Sequence, residues 1–255
     1  MIPEPDPNAL DAGQYTHDSI RKYEAIYGRN FISPGGQATT LDILALTDMT
    51  PGMRVLDVGC GLGGAALLMA QRFGARVHGI DLSQNMLQLA QARCQEAQLT
   101  QAVTFEHADI LEYNPSAIYD LVHSRDAFLH IHEKGRLFAA LARCLRPGGR
   151  VLFSDYLCPA GPPSPDFAAY IRARHYDLCS LEAYRAHLAQ VGFTVILAED
   201  RTDDFIAILE RELDQLHASQ LPTHERDDLA DSWQAKLQRA RAGEQRWGIF
   251  IGQKG

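Results

Sequence analysis

The stretch Arg54-Val55-Leu56-Asp57-Val58-Gly59-Cys60-Gly61-Leu62-Gly63-Gly64 decides the fold. A five-residue β-rich run leads directly into glycines, which reads as strand, tight turn and helix start. Such a turn brings a ligand against the amino end of the helix that follows. Gly59, Gly61 and Gly64 match G-x-G-x-x-G. Asp81 closes the next β-rich run about 20 residues on, where a carboxylate can grip two ribose hydroxyls.

Working outward, β-rich runs at 54–58, 76–80, 103–107, 120–124 and 150–154 alternate with helical stretches near 64–73, 84–98 and 133–145. That alternation predicts an α/β fold with a parallel sheet, right-handed crossovers and helices on both faces. Beyond the fifth strand, 159–165 is too rich in proline and glycine to be regular, and helical periodicity returns over 166–191. This helical insertion, 156–192, is expected to roof the carboxyl edge of the sheet. A run at 194–198, two polar helices and a closing run at 247–251 complete the sheet. Upstream, Ile20, Tyr23, Ile26 and Tyr27 predict a helix over 18–27 stopped by Gly28, and a second helix fits 37–46. Three prolines in the first seven residues mark 1–13 as a flexible leader. Without a repeat or a linker, 14–255 reads as one domain whose helical lid, 14–50, covers the active site with the insertion.

The chain has 255 residues, 46% hydrophobic and 22% charged, enough for a packed core without staples. Twenty-four Lys and Arg against 32 Asp and Glu leave a net charge of -8, which argues against general binding to nucleic acid or an anionic membrane. Any anion site must therefore be local. No apolar run approaches the roughly 18 residues of a membrane span, and residues 1–13 lack the n- and h-regions of a signal peptide. A soluble, cytoplasmic monomer is expected. Five widely spaced cysteines without a C-x-x-C pair point to reduced thiols rather than disulfides or zinc.

Asp57 shifts the chemistry away from dinucleotides. A carboxylate before the glycines opposes a pyrophosphate but welcomes a cation, and S-adenosylmethionine carries both an ammonium and a sulfonium. Asp109, just past the third strand, can accept a hydrogen bond from an adenine amino group. Three acids at successive strand ends fit adenosine with a cationic tail. The competing readings are a nicotinamide-dependent dehydrogenase and ordinary polar strand ends.

Methyl transfer from sulfonium is an in-line displacement that needs a neutral lone pair and no water. An alkylamine is protonated at neutral pH, so it needs a proton acceptor and an anion that holds it. The run Ser124-Arg125-Asp126-Ala127-Phe128-Leu129-His130-Ile131-His132 offers both. Asp126 can hold an ammonium, and His130, or secondarily His132, can carry a proton away. The plainer alternative is a structural histidine. His123, His130 and His132 fit no standard zinc spacing, and no metal is expected. Tyr170, Arg174 and Tyr176 of the insertion join Tyr156 and Lys236 as a set suited to phosphate. Against that, Tyr170 and Arg174 form an i, i+4 pair that can simply coat a helix.

The strand-and-acid pattern resembles the Rossmann-like S-adenosylmethionine-dependent methyltransferases. That implies seven strands, mostly parallel with the last antiparallel, and cofactor at the carboxyl ends of the early strands. Nearly end to end, the chain resembles the phosphoethanolamine N-methyltransferases, which build phosphocholine. The markers are Gln14-Tyr15-Thr16, Tyr23-Glu24-Ala25-Ile26-Tyr27-Gly28, Phe31-Ile32-Ser33-Pro34-Gly35-Gly36, the glycine loop, Ser124-Arg125-Asp126, Ser154-Asp155-Tyr156 and Gln245-Arg246-Trp247-Gly248.

The resemblance implies that Tyr15 and His130 form a catalytic pair, with tyrosine closing over substrate, and that Asp126 lies beside the amine. It implies phosphate contacts from Tyr156, Tyr170, Arg174, Tyr176 and Lys236, with Gln14 and Ser33 also near substrate. Cofactor contacts follow for Ile32, Ser33, Gly59, Asp81, Leu82, Asp109, Ile110 and Arg125, beside Asp57 and Gly61 from the motif itself. The implied reaction methylates phosphoethanolamine and its mono- and dimethyl derivatives, releasing S-adenosyl-L-homocysteine. Departures are Cys60 in place of a common serine, a less basic helix after Lys236 and a proline-richer insertion. They leave open another small amine, a phosphonate or a natural product as acceptor. A non-catalytic nucleotide-binding protein is a further alternative.

Overall fold

The structure, a computed structural model, describes residue 11 and residues 15–115, 118–219 and 221–255. Strands β1 (Arg54–Val58), β2 (Arg76–Asp81), β3 (Val103–His107), β4 (Tyr119–Arg125), β5 (Leu145–Leu157), β6 (Phe193–Asp200) and β7 (Arg246–Lys254) form one sheet of order β3-β2-β1-β4-β5-β7-β6. All neighbours are parallel except β7, which runs antiparallel between β5 and β6. The expected seven-stranded α/β architecture is borne out. Chain order reverses between β1 and β4, so their carboxyl ends diverge into a crevice, the usual ligand position in such sheets.

The described helices are α1 (His17–Tyr27), α2 (Gly36–Leu44), α3 (Gly64–Phe73), α4 (Gln84–Glu96), α5 (Lys134–Cys144), α6 (Pro165–Ala173), α7 (Leu181–Gln190), α8 (Thr202–His217) and α9 (Thr223–Arg241). Their starts follow from capping chemistry: Thr16, Ser83, Ser164 and Ser180 each accept a backbone N–H three residues on. One apolar layer packs Leu44, Leu67, Met69, Phe205, Leu209 and Trp247 against the sheet. The opposite layer holds Phe138, Phe153, Tyr184, Leu188 and Phe250, with the Phe153 and Phe250 rings stacked at 4.6 Å. Burying each such side chain contributes about 1.5–3 kcal/mol, which makes these layers a rigid base for the loops above.

Two elements differ from the sequence expectation. β5 runs on to Leu157, because β7 pairs with it from Arg150 through Leu157, so Tyr156 belongs to the strand rather than following it. The insertion is not one helical stretch. Arg174 caps α6, His175 takes a left-handed φ of 53°, and the chain returns to the sheet where Leu157 bridges Cys179. Helix α7 then buries Tyr184 and Leu188 in the layer that holds Phe153 and Phe250. Helical periodicity is the same whichever face a helix covers, so the sequence could not separate the two. Within the expected leader, Asp11 accepts hydrogen bonds from the Ser83 hydroxyl and the backbone N–H of Gln84 at the start of α4.

Candidate active site

The sheet order lines up the chemistry. Moving from β3 to β5, the strand ends present Asp109, Asp81, Asp57, Asp126 and Tyr156 along one cavity of about 360 Å³. The site residues expected from the sequence line this cavity except His132, the secondary proton carrier, and Gln14, which lies outside the described residues.

At the cofactor end, the turn after β1 approaches its neighbours closely. A Cβ on Gly59, whose φ is 67°, would stand 2.5 Å from that of Ala127. On Gly61 it would meet the Ile32 side chain at 3.3 Å. Asp81 accepts the backbone N–H of Gly61 at 2.8 Å and of Ser83 at 2.9 Å, so it ties the glycine turn to the start of α4. Burial pushes the Asp81 carboxyl above its usual range. Asp109 accepts the Leu111 N–H at 2.8 Å. Asp57 is 2% exposed; one oxygen meets His123 Nδ1 at 2.7 Å, while the other has no hydrogen-bond partner. A buried, unsatisfied carboxylate oxygen beside a cavity is costly unless a ligand donor reaches it.

Arg125 lines the cavity and also makes contacts that the sequence did not indicate. Its guanidinium donates to Thr40 Oγ1 at 2.6 Å and to the Pro34 carbonyl at 2.8 Å, so it pins the loop that carries Ile32 and Ser33. Glu212 holds the same loop from the other side, accepting the Gly35 N–H at 2.6 Å and the Trp233 indole N–H at 2.9 Å.

Asp126 adopts a left-handed φ of 51°, a conformation that costs a non-glycine residue about 1–3 kcal/mol and here turns the side chain into the site. One of its oxygens accepts both the Ser154 hydroxyl and the Trp247 indole N–H, each at 2.8 Å. The other has no hydrogen-bond partner, with Arg125 3.6 Å away. In the same cavity, burial with Lys134 and Arg174 nearby pulls the His130 imidazole down to about 4, so it is neutral at physiological pH. The His130 ring meets Tyr176 edge-on, centroids 5.2 Å apart. His123, His130 and His132 do not converge, and among the described residues no group of three or more His, Cys, Asp or Glu is arranged to hold a metal ion.

The far end is basic and aromatic. Lys236 Nζ lies 4.5 Å from the Trp233 ring and 5.9 Å from the Tyr156 ring. Burial pulls its ammonium down to about 8. Arg174 lies 5.8 Å from the Tyr170 ring; burial works against its charge, but Tyr176, Tyr170 and Tyr23 around it hold the guanidinium above its usual range. Tyr15 sits between the two ends; its carbonyl accepts the Asn85 amide at 3.1 Å, and burial with Asp81 nearby raises its hydroxyl well above the usual range.

A methyltransferase-domain model matches residues 55–149. Phosphoethanolamine N-methyltransferase 1 of Zea mays is 43% identical over 252 residues, 96% of this chain and 50% of that protein. The Plasmodium falciparum phosphoethanolamine N-methyltransferase is 32% identical over 255 residues and is covered to 95% of its own length. The chain belongs to the phosphoethanolamine N-methyltransferase family. Haemonchus contortus phosphoethanolamine N-methyltransferase 2, solved with phosphomonomethylethanolamine and S-adenosylhomocysteine, superposes with a TM-score of 0.93 at 36% identity, covering 100% of this chain and 60% of that one. The chain spans about half the length of the plant relatives it matches.

In this family member the structure adds residues that sequence reasoning passed over. Tyr23 and Tyr27, read as an apolar helix stripe and a family marker without a site role, line the cavity with Trp233. Their i, i+4 spacing carried no sign of which side would face the site. Trp247 and Ser154 were markers without a role until both turned up as donors to Asp126. Glu212 did leave a trace: it interrupts the stripe Phe205, Ile208, Leu209 and Leu216 of α8 with a charge.

Proposed function

We propose that this chain transfers methyl groups from S-adenosylmethionine to the nitrogen of phosphoethanolamine and of its mono- and dimethyl derivatives, toward phosphocholine. The observation that carries this is the polarity of one cavity, with carboxylates at the ends of β1, β2 and β3 and the cations Arg174 and Lys236 past β5.

The residues present fit the cofactor. The unpartnered oxygen of Asp57 suits its ammonium, Asp81 and Asp109 its ribose and adenine, and the close turn at Gly59 and Gly61 leaves room for no side chain. S-Adenosylmethionine supplies the methyl group as an electrophile on sulfonium and leaves as S-adenosyl-L-homocysteine. Arg174 and Lys236 bind the phosphate, with Tyr156, Tyr170 and Tyr176 completing its hydrogen bonds. Asp126 holds the amine by the oxygen that Ser154 and Trp247 leave unused. Neutral His130 accepts an amine N–H, and the proton that the acceptor's ammonium must lose passes by way of this imidazole to solvent before the site closes. Tyr15 closes over the acceptor with Ser33 near it, and Arg125 borders the cofactor while holding the Ile32–Ser33 loop. With water excluded, the amine lone pair stays aimed at the methyl carbon.

We further propose a monomer in a reducing cytoplasm, and the five free thiols accord with that compartment. Among the described residues no helix is long and apolar enough to cross a membrane.

The test is incubation with methyl-labelled S-adenosylmethionine and phosphoethanolamine, ethanolamine or glycine, with the products identified. Label in methylated phosphoethanolamines alone supports the reading. Label in ethanolamine or glycine at equal rate would mean that the basic end selects nothing.

A further inference from the structure

Lys134 occupies a position that ordinary helix chemistry disfavours. It opens α5, where the helix dipole repels a cation, and it is 5% exposed, where an ammonium loses its hydration. Both costs are offset by acceptors from two separate segments. Nζ donates to the carbonyls of Phe128 at 3.1 Å and Ile131 at 2.6 Å, and to Asp177 through its carbonyl at 2.8 Å and its carboxylate at 3.0 Å. Three N–H donors facing four acceptors leave none for a ligand. The Asp177 N–H also donates to the Leu129 carbonyl at 2.7 Å.

The two joined segments are the halves of the acceptor site. The 128–131 turn carries His130, at the amine, and Tyr176 precedes Asp177, at the phosphate. We infer that Lys134 is a positioning residue that fixes the span between the amine end and the phosphate end of the site, and so selects acceptors by the length of chain between nitrogen and phosphate. The inference rests on the proposed function for the identity of the two ends. Its geometric part, the lock between His130 and Tyr176, stands apart from it.

The experiment compares the parent protein with Lys134→Met, Lys134→Arg and Asp177→Asn, using phosphoethanolamine and 3-aminopropyl phosphate as acceptors. In Lys134→Met, the kcat/KM preference for the two-carbon acceptor should fall roughly 10-fold, the scale on which a pocket discriminates one methylene. S-Adenosylhomocysteine affinity should hold within about twofold, since Phe128, Ile131 and Asp177, the partners of Lys134, are none of the residues assigned to the cofactor. Asp177→Asn should move the preference the same way by less, and Lys134→Arg should keep most of it. A folded Lys134→Met with unchanged preference, or with equal losses on both acceptors, overturns the inference.

If the parent methylates neither acceptor, the proposed function fails while the lock is still read by NMR. Contacts between the His130 and Tyr176 rings should be present in the parent and absent in Lys134→Met; their persistence in the variant overturns the lock. Should Lys134→Met not fold, both readouts pass to Asp177→Asn, where an unchanged preference or an unchanged ring contact counts against the inference.

Discussion

Raising the pH should discharge Lys236 and weaken the phosphate end of the site. Burial pulls this ammonium from its usual 10.5 to about 8; Arg174 and Arg239 add to that, while Glu212 and Asp126 oppose it. The displacement corresponds to roughly 3 kcal/mol against holding the charge in the empty cavity. A bound phosphate restores that charge, so binding takes up a proton above pH 8. Affinity should then fall about tenfold per pH unit until one charge-assisted contact, about 1.5–3 kcal/mol or roughly 10- to 150-fold, is lost. The assay is calorimetry of phosphocholine on protein saturated with S-adenosylhomocysteine, from pH 7 to 10. Phosphocholine has no titratable amine, and its phosphate is doubly charged above about pH 6.

The parent should show the decline. Lys236→Arg, which cannot discharge, should stay flat, and Lys236→Met should bind weakly throughout. Stability carries the opposite sign. Between about 8 and 10.5 the unfolded chain holds a proton the folded chain lacks, so this residue's contribution to stability rises with pH. Lys236→Met should therefore raise Tm at pH 7, at about 2–4 °C for each kcal/mol recovered. An affinity flat to pH 10 in the parent, or the same decline in Lys236→Arg, would refute the reasoning.

Three further outcomes follow. Arg174→Ala should weaken phosphoethanolamine by about 1.5–3 kcal/mol without moving S-adenosylhomocysteine affinity, measured by calorimetry of each ligand. His130→Ala should cut turnover roughly 10²–10⁴-fold with cofactor affinity retained, and NMR of the parent imidazole should show it neutral at every pH above about 5, since it titrates only near 4. Trp247→Phe removes one of two donors to the same Asp126 oxygen and should raise KM for the amine acceptor by the worth of one charged hydrogen bond, about 1.5–3 kcal/mol; unchanged steady-state kinetics would show that Ser154 alone suffices.

The sequence by itself determined the sheet and the row of acids at its carboxyl edge. These are local facts: a carboxylate at or just past the end of a strand faces the loops beyond that edge, so Asp57, Asp81 and Asp109 were legible one strand at a time. Tertiary structure alone decided how distant segments share one atom or one ring. Trp247 and Ser154 reach a single oxygen of Asp126 from strands paired antiparallel, and Glu212 spans the Gly35 loop and Trp233. It also decided that Arg125 clamps a loop and that α7 packs into the layer of Phe153 and Phe250 while α6 covers the site. Periodicity records that a side is buried but not against what, because burial opposite a sheet and burial against a ligand select the same residue types.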